Sequence, residues 1–115
     1  MEKLTLSAMQ QEVDDYISQF KEGYFPPMSL IVRLTEELGE LAREVNHRFG
    51  EKKKKETEED GSLAEEIGDV MYCLTCLANS LGIELEAAHR MVMHKFNTRD
   101  ANRWTRKESD TEFDL

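Results

Sequence analysis

Apolar residues recur at intervals of three and four along most of this chain, and no clean run alternates apolar with polar residues. This spacing places apolar side chains on one face of an α-helix, whereas a half-buried strand would need alternation. It predicts helices near residues 6–20, 27–49, 63–81 and 84–98. We therefore expect an all-α fold, an antiparallel bundle of about four helices. The residues expected to face inward include Ile31, Leu38, Val45, Met91, Val92 and Phe96.

Sequence signals mark several of the predicted helix ends. Residues 7–10 and 62–65 both match the capping box, in which a serine and a Glu or Gln three residues later satisfy free backbone N–H groups. Gly23 and the prolines that follow it end the first helix, and Gly82 ends the third. The connector "EKKKKETEED" has no apolar residue, which favours a solvated loop.

The third predicted helix differs from the others, since apolar residues occupy almost every face of it. Such a helix is normally surrounded by other helices. It carries both cysteines of the chain, Cys73 and Cys76, as a C-x-x-C pair. A cysteine zinc site would need a second pair or suitably spaced histidines, so we expect two free cysteines packed in the core.

Length and charge limit the class of protein. The 115 residues are expected to form one domain over residues 1–104, followed by a polar, disordered tail over residues 105–115. The chain has 24 acidic and 15 basic residues, a net charge of −9, which argues against nucleic acid and membrane surfaces as partners. It lacks a long apolar run and a signal-peptide pattern at "MEKLTLSAMQ", so the expected location is cytoplasmic.

One phrase is repeated: "EELGELA" of the second helix returns as "EEIGDVM" in the third. Residues three apart share a helix face, so Glu37 lies beside Glu40, and Glu66 lies beside Asp69. Each pair aligns with apolar residues of its own helix. We therefore expect all four carboxylates to face the space between the two helices.

Carboxylates between helices are strongly disfavoured unless a counter-charge neutralises them. A hard divalent cation supplies one, and carboxylate oxygens are ligands of Mg²⁺ and Mn²⁺. Gly39 and Gly68 would let the two backbones approach so that both pairs reach one ion. An acidic helix face can instead be solvated beside basic residues, but the third helix has no Lys or Arg between Leu63 and Leu81. The pattern therefore favours a metal site.

These acids also carry a resemblance to a known family. Three of them, Glu36, Glu37 and Glu40, match the first half of an E-E-x-x-E…E-x-x-D signature. After 25 intervening residues, Glu66 and Asp69 match the second half. The chain resembles the MazG-type nucleotide pyrophosphohydrolases, whose signature this is.

The resemblance extends over about residues 28–104 and implies an all-α fold and Mg²⁺ dependence, with Mn²⁺ as a substitute. It implies hydrolysis of a nucleoside or deoxynucleoside triphosphate between the α- and β-phosphates, giving the monophosphate and pyrophosphate. A house-cleaning role in the nucleotide pool would follow. The resemblance also implies homo-oligomers, a dimer or a tetramer of paired dimers, in which helices of two chains build each active site.

The resemblance assigns roles by position. It implies that the metal ligands are Glu37, Glu40, Glu66 and Asp69. Glu36 matches the first acid of the signature, which supports a ligand or activates water. A carboxylate can accept the proton of an attacking water, and both Glu36 and Glu40 remain candidates for that base.

Basic residues near the end of the fourth predicted helix are candidates for substrate binding. Lys95, Arg99 and Arg103 are four residues apart and would share one face if the helix persists. Three cations on one face suit a phosphate clamp, although a basic helix end also complements the helix dipole. Asn79 lies on the apolar third helix, where its amide needs a partner, so we also expect it to contact a ligand or the substrate.

Two other classes of protein remain open. Glu44 with His47 and Glu86 with His89 spell E-x-x-H twice, the sequence found in di-iron carboxylate bundles, although one pair ends a predicted helix and the other begins one. The acids can instead be structural in a non-enzymatic, acidic helical interaction module. A rise in melting temperature with Mg²⁺ or Mn²⁺ would separate a metal enzyme from such a module.

Overall fold

A computed structural model describes residues 2–50 and 62–108, and these residues contain four α-helices and no β-strand. The helices are α1 (Leu6–Ile17), α2 (Pro27–Phe49), α3 (Leu63–Ser80) and α4 (Leu85–Thr98). The predicted all-α class is therefore confirmed. The charged connector and most of the predicted tail, residues 51–61 and 109–115, lie outside the described residues.

The helix starts agree with one of the two predicted capping boxes. Ser62 is the N-cap of α3, and its side-chain oxygen accepts a hydrogen bond from the backbone N–H of Glu65 at 3.2 Å. The prediction for α1 is wrong, because Thr5 is the cap and accepts from the N–H of Ala8 at 3.0 Å. Ser7 consequently lies inside the first turn of α1.

Gly82 ends α3 as predicted, and its backbone shows why glycine is needed there. Its φ angle is +68°, in the left-handed region that side chains with a Cβ disfavour. The N–H of Ile83 then bonds the carbonyl of Ala78 at 2.9 Å, and the N–H of Gly82 bonds that of Asn79 at 3.2 Å. This pair of bonds satisfies carbonyls at the end of the helix in the Schellman arrangement.

Helix α3 packs against both α1 and α2. It runs antiparallel to α2, because Arg33 near the start of α2 lines a cavity with Cys76, whereas Glu37 further along approaches Asp69. No helix in the described ranges is long and apolar enough to span a membrane. The chain forms two compact units, residues 1–85, which hold the first three helices, and residues 86–115, which hold nearly all of α4.

The buried part of the described chain is small. The buried side chains are Leu30, Cys73, Thr75, Cys76 and Ala78. Both cysteines are free, with 2% and 3% of their surface exposed, so the prediction of core cysteines is confirmed. The buried Thr75 hydroxyl donates to the carbonyl of Met71 at 2.7 Å, which removes the cost of burying a polar group.

Much of the apolar surface predicted to face inward is exposed in the described chain. Leu38 of α2 is 53% exposed and Ile67 of α3 is 48% exposed. Further exposed members of the predicted inward set are Ile31, Val45, Met71, Leu74, Leu81, Met91, Val92 and Phe96. Among the described helices, α1 and α2 pack against α3 to a substantial extent. One chain therefore does not cover every face of α3, and its enclosure by helices of other chains stays a prediction.

Candidate metal and substrate site

Three carboxylates converge where α2 and α3 run side by side. Glu37 comes from α2, and Glu66 and Asp69 come from α3, one helical turn apart. One oxygen of each lies within 4.8 Å of the others, a spacing that could hold a metal ion. We call these three residues the acid group. The three-residue spacing that the sequence indicated brings Glu66 and Asp69 together on α3, and α2 adds Glu37 to them.

Glu66 lies at the electrostatic centre of these acids. Its pKa is raised above the ordinary glutamate value, first by burial and then by the negative charges of Asp69, Glu40, Glu37 and Glu44. Burial and like charges both disfavour the ionised form. The position therefore has an excess of negative charge that a cation would relieve.

The other two predicted acids lie beside the acid group. Glu40 is exposed and stands outside the group of three, yet it is close enough to raise the pKa of Glu66. Glu36 is also exposed and lines a surface groove together with Arg33 and Glu37. The structure thus brings three of the four predicted metal ligands into one group and places the fourth nearby.

The predicted purpose of the two glycines is wrong for a single chain. A Cβ atom added to Gly39 or Gly68 would meet no other atom within 4 Å, leaving aside each helix's own backbone. Close approach of α2 to α3 therefore does not require them. Both positions face open space in the described chain.

Glu44 is an acid near the site that the sequence interpretation assigned elsewhere. It follows Glu37 by seven residues and Glu40 by four, so helical spacing could have placed it on the same face. The Glu44 side chain is 13% exposed, and its carboxylate accepts a hydrogen bond from Arg48 at 3.0 Å. In the second E-x-x-H pair, Glu86 likewise accepts from Arg90 at 3.1 Å. Neither glutamate belongs to a candidate ligand group in the described part of the chain.

The predicted basic face is not continuous. Helix α4 ends at Thr98, and the chain continues in turns in which Ala101 bonds Thr98 and Arg103 bonds Asp100. Only Lys95 lies on the helix, where its ammonium group is 5.3 Å from the ring centre of Phe96. The shared face was conditional on the helix persisting past its predicted end at residue 98, and Asp100 and Asn102 favour turns over helix.

The Arg103 guanidinium lies 5.5 Å from the ring centre of Trp104, and Arg99 is 3.7 Å from the Asp100 carboxylate. These residues belong to the unit of residues 86–115, whereas the acid group belongs to the unit of residues 1–85. A role of Lys95, Arg99 and Arg103 in substrate binding stays a prediction.

Asn79 is tied into a polar network with α1 and the turn that follows it. Its amide oxygen accepts from Gln10 at 2.8 Å, and its amide nitrogen donates to the Gln10 carbonyl at 3.0 Å and the Tyr24 hydroxyl at 2.9 Å. The Tyr24 hydroxyl donates to Asp14 at 2.8 Å. Burial raises the pKa of Tyr24 to about 12, and this bond adds to the effect. Substrate contact by Asn79 stays a prediction, and its bonds favour a structural role.

A cavity of about 300 Å³ between α1, α2 and α3 was not anticipated from the sequence. Its aromatic wall is formed by Tyr16, Phe20, Tyr24, Phe25 and Tyr72, and Arg33 lies on its lining. We call it the aromatic cavity. The sequence shows the rings one by one, but nothing in their spacing indicates that three separate segments meet around one space.

Comparison with known proteins agrees with this site. The MazG nucleotide pyrophosphohydrolase domain matches residues 25–104. The chain is 68% identical over 108 residues to the YpjD protein of Bacillus subtilis (strain 168), covering 94% of this chain and 97% of YpjD. It is similar to a crystal structure of YpjD with a TM-score of 0.78 at 67% identity, covering 85% of this chain and 100% of that chain.

A second crystal structure, of a Bacillus-conserved MazG protein described as a nucleotide pyrophosphohydrolase, has a TM-score of 0.75 at 57% identity. The match covers 86% of this chain and 96% of that chain. The sequence matches and the structural matches thus agree with the family that the acids of α2 and α3 indicated. This chain belongs to the MazG nucleotide pyrophosphohydrolases, and it is a hydrolase of phosphorus–oxygen anhydride bonds.

Proposed function

We propose that this chain hydrolyses a nucleoside or deoxynucleoside triphosphate to the monophosphate and pyrophosphate, using Mg²⁺ with Mn²⁺ as a substitute. The acid group carries the proposal, since it offers three carboxylate oxygens within 4.8 Å of one another. Membership of the family supports the reaction class. A house-cleaning role in the cytoplasmic nucleotide pool is the accompanying physiological proposal.

The donor set fits a hard divalent cation. Carboxylate oxygens are the ligands that Mg²⁺ and Mn²⁺ prefer, and the raised pKa of Glu66 indicates uncompensated negative charge beside it. Glu37, Glu66 and Asp69 would hold the cation, and Glu40 would be the fourth carboxylate. When bound, the cation would neutralise charge on phosphate oxygens and make a water more acidic.

The chain's own acids also supply a proton acceptor. Hydrolysis needs a group that takes the proton of the attacking water. Glu40 is exposed next to the acid group, and Glu36 is exposed one residue before Glu37. Either carboxylate can accept this proton at the edge of the site, and Glu36 and Glu40 both stay in the proposal.

We also propose that cations of residues 86–115 bind phosphate oxygens of the substrate. The candidates are Lys95, Arg99 and Arg103, which are exposed. Arginine forms bidentate hydrogen bonds with phosphate oxygens. Phosphate binding would then depend on the positive charge of these three residues, which follow the acid group in the sequence.

The exposed apolar faces of α2 and α3 support a homo-oligomer, a dimer or a tetramer of paired dimers. Leu38 and Ile67 are each about half exposed, and Gly39 and Gly68 beside them face open space. A second copy would bury these faces and complete the core that one chain leaves small. Light scattering should give the mass of a dimer or tetramer, and the mass of a single chain would contradict this part of the proposal.

A screen of triphosphates tests the function directly. Each ribo- and deoxyribonucleoside triphosphate is incubated with the protein and Mg²⁺ or Mn²⁺, and pyrophosphate release is measured. We expect pyrophosphate and the monophosphate in equal amounts. Release of inorganic phosphate with the diphosphate would instead place cleavage at the other anhydride bond.

A thermal-shift titration accompanies the screen. A cation that binds the folded chain and not the unfolded chain stabilises the fold. The gain is about 2.7 kcal/mol when the cation concentration is a hundred times its dissociation constant. Glu65→Gln is the control and should show the same cation-dependent rise in melting temperature as the wild type, because Glu65 is exposed on α3 outside the acid group. No shift and no pyrophosphate from any triphosphate would favour the non-enzymatic interaction module.

A further inference from the structure

The aromatic cavity begins one helical turn from the acid group on both helices that form the site. Arg33 precedes Glu37 by four residues on α2, and Cys73 follows Asp69 by four residues on α3. Four residues of helix span about 6 Å. The cavity therefore lies within reach of a nucleoside whose α-phosphate is held at the acid group.

The walls of the cavity suit a flat ring. The Tyr16 and Phe20 rings pack edge to face with centres 5.3 Å apart, and Tyr16 and Tyr72 do so at 6.5 Å. A volume of about 300 Å³ is at the lower end of the range for small-molecule pockets, which is about 300–1,000 Å³. Aromatic walls stack with any nucleobase, so they supply affinity without choosing among bases.

Arg33 is the feature of the cavity that can choose among bases. In the described parts of the chain it has no carboxylate within ion-pair distance, and it is exposed on the lining. Its charge reaches the interior: burial raises the pKa of the Cys73 and Cys76 thiols, and the positive charge of Arg33 opposes that rise. Within the described residues, Arg33 thus has no ion-pair partner, and it lines both the largely apolar aromatic cavity and the surface groove that holds Glu36 and Glu37.

The Tyr24 hydroxyl does not compete with Arg33 for a ligand. It donates to Asp14 and accepts from Asn79, so its donor is already used. Glu22 is the acidic residue on the lining, and it is exposed. The lining thus carries a guanidinium, which can only donate hydrogen bonds, and a carboxylate, which accepts them when ionised. Of the two, Arg33 lies on α2, one helical turn from Glu37 of the acid group.

We propose that the aromatic cavity binds the nucleobase of the substrate and that Arg33 selects bases presenting a carbonyl oxygen over bases presenting an amino group at the same position. This inference rests on the proposed triphosphate hydrolysis. A carbonyl oxygen accepts a hydrogen bond from the guanidinium, whereas an amino group places a donor against a donor and leaves both unsatisfied. Specificity then comes as much from rejecting the wrong base as from binding the right one.

Two matched pairs of substrates test the selection. UTP and CTP differ in a 4-oxo against a 4-amino group, and ITP and ATP differ in a 6-oxo against a 6-amino group. We expect kcat/KM to favour the oxo member of at least one pair by about tenfold or more, the size of effect given by a hydrogen bond to a charged donor. Ratios near one in both pairs would overturn the proposal.

Variants of Arg33 identify the source of the preference. Arg33→Met should bring the ratios close to one, and Arg33→Lys should retain part of them because it keeps a cationic donor. Arg90→Met is the matched control, since Arg90 is an exposed arginine of α4 paired with Glu86. Circular dichroism and melting temperature confirm that each variant is folded. An unchanged preference in Arg33→Met would assign the selection to another residue and refute the proposal.

A binding measurement separates this inference from the proposed hydrolysis. Calorimetry without divalent cation compares UMP with CMP and IMP with AMP on the wild-type chain and on Arg33→Met. If the wild type binds the oxo member more tightly and Arg33→Met does not, the role of the aromatic cavity in base binding is supported even when no triphosphate is hydrolysed. Hydrolysis without any oxo preference in rate or binding would leave the proposed function intact and overturn the role of Arg33.

Discussion

The two ends of α3 use polar residues in opposite ways. Near its start, Glu66 and Asp69 crowd other acids, and the pKa of Glu66 is raised by burial and by those charges. Near its end, Asn79 has both its amide oxygen and its amide nitrogen bonded to Gln10 and Tyr24. Unrelieved charge thus marks the end suited to chemistry, and satisfied hydrogen bonds mark the end that holds the fold together.

The largest expected effect comes from removing charge at the first end. Asp69→Asn should lower pyrophosphate release by more than about a hundredfold, because losing even a residue that supports a metal ligand costs about 10–100-fold. Glu40→Gln should also abolish turnover if Glu40 is a ligand or the base. Helix content should not change, because Asp69 and Glu40 are exposed.

Steady-state kinetics with the best triphosphate measures this effect, with Glu65→Gln as the control on the same helix. Full activity in both Asp69→Asn and Glu40→Gln would contradict the proposed ligand set and remove the chemical role proposed for the start of α3. Loss in Asp69→Asn alone would reduce the ligand set to the acid group.

The second expected effect is on stability at the other end. Asn79→Ala leaves partners on Gln10 and Tyr24 unsatisfied, so the free energy of unfolding should fall by about 1–3 kcal/mol. Denaturant unfolding measures the change, and Asn97→Ala is the control because Asn97 is exposed on α4. A large fall in kcat with normal stability would restore Asn79 to the substrate site.

The smallest expected effect is a change in the pH dependence of stability. The folded-state pKa of Glu66 is raised by burial and by neighbouring acids, so ionising it disfavours the fold. Without metal, the wild type should therefore lose stability as pH rises from the ordinary glutamate range through the raised pKa. Glu66→Gln cannot ionise, so it should melt at a higher temperature than the wild type at neutral pH and at a similar one in acid.

Melting curves in a chelator across this pH range measure the difference between the two proteins. The sign should reverse when Mg²⁺ is added, since Glu66→Gln removes a proposed ligand. Parallel curves for the two proteins at every pH would contradict a raised pKa of Glu66 in the folded state.

Local features of the fold could be predicted from the sequence because they depend on neighbours in the chain. The periodicity predicted the bounds of α2 and α3 to within about a residue, and Ser62 and Gly82 were identified as the cap and stop of α3. Thr5 took the place of Ser7 because both side chains can cap a helix and spacing alone does not choose between them. Periodicity also shows which face is apolar but not what covers it.

The site was predictable where it depends on helical spacing and not where distant segments meet. Glu66 and Asp69 follow from the three-residue spacing on α3, and the repeated phrase on α2 indicated Glu37 opposite them. Arg33 was passed over, because the rings around it come from α1, the turn after it and α3. The partner of Asn79 is Gln10, 69 residues away, and no local pattern reveals such a bond.

The two buried cysteines of α3 can report how fast this helix opens. Their thiols are nearly inaccessible and burial raises the pKa of each, so little thiolate is present to react in the folded state. The rate at which a thiol reagent labels Cys73 and Cys76 would therefore measure the opening of the helix that carries two of the three residues of the acid group. Occupancy of the site by cation or nucleotide would be read as slower labelling.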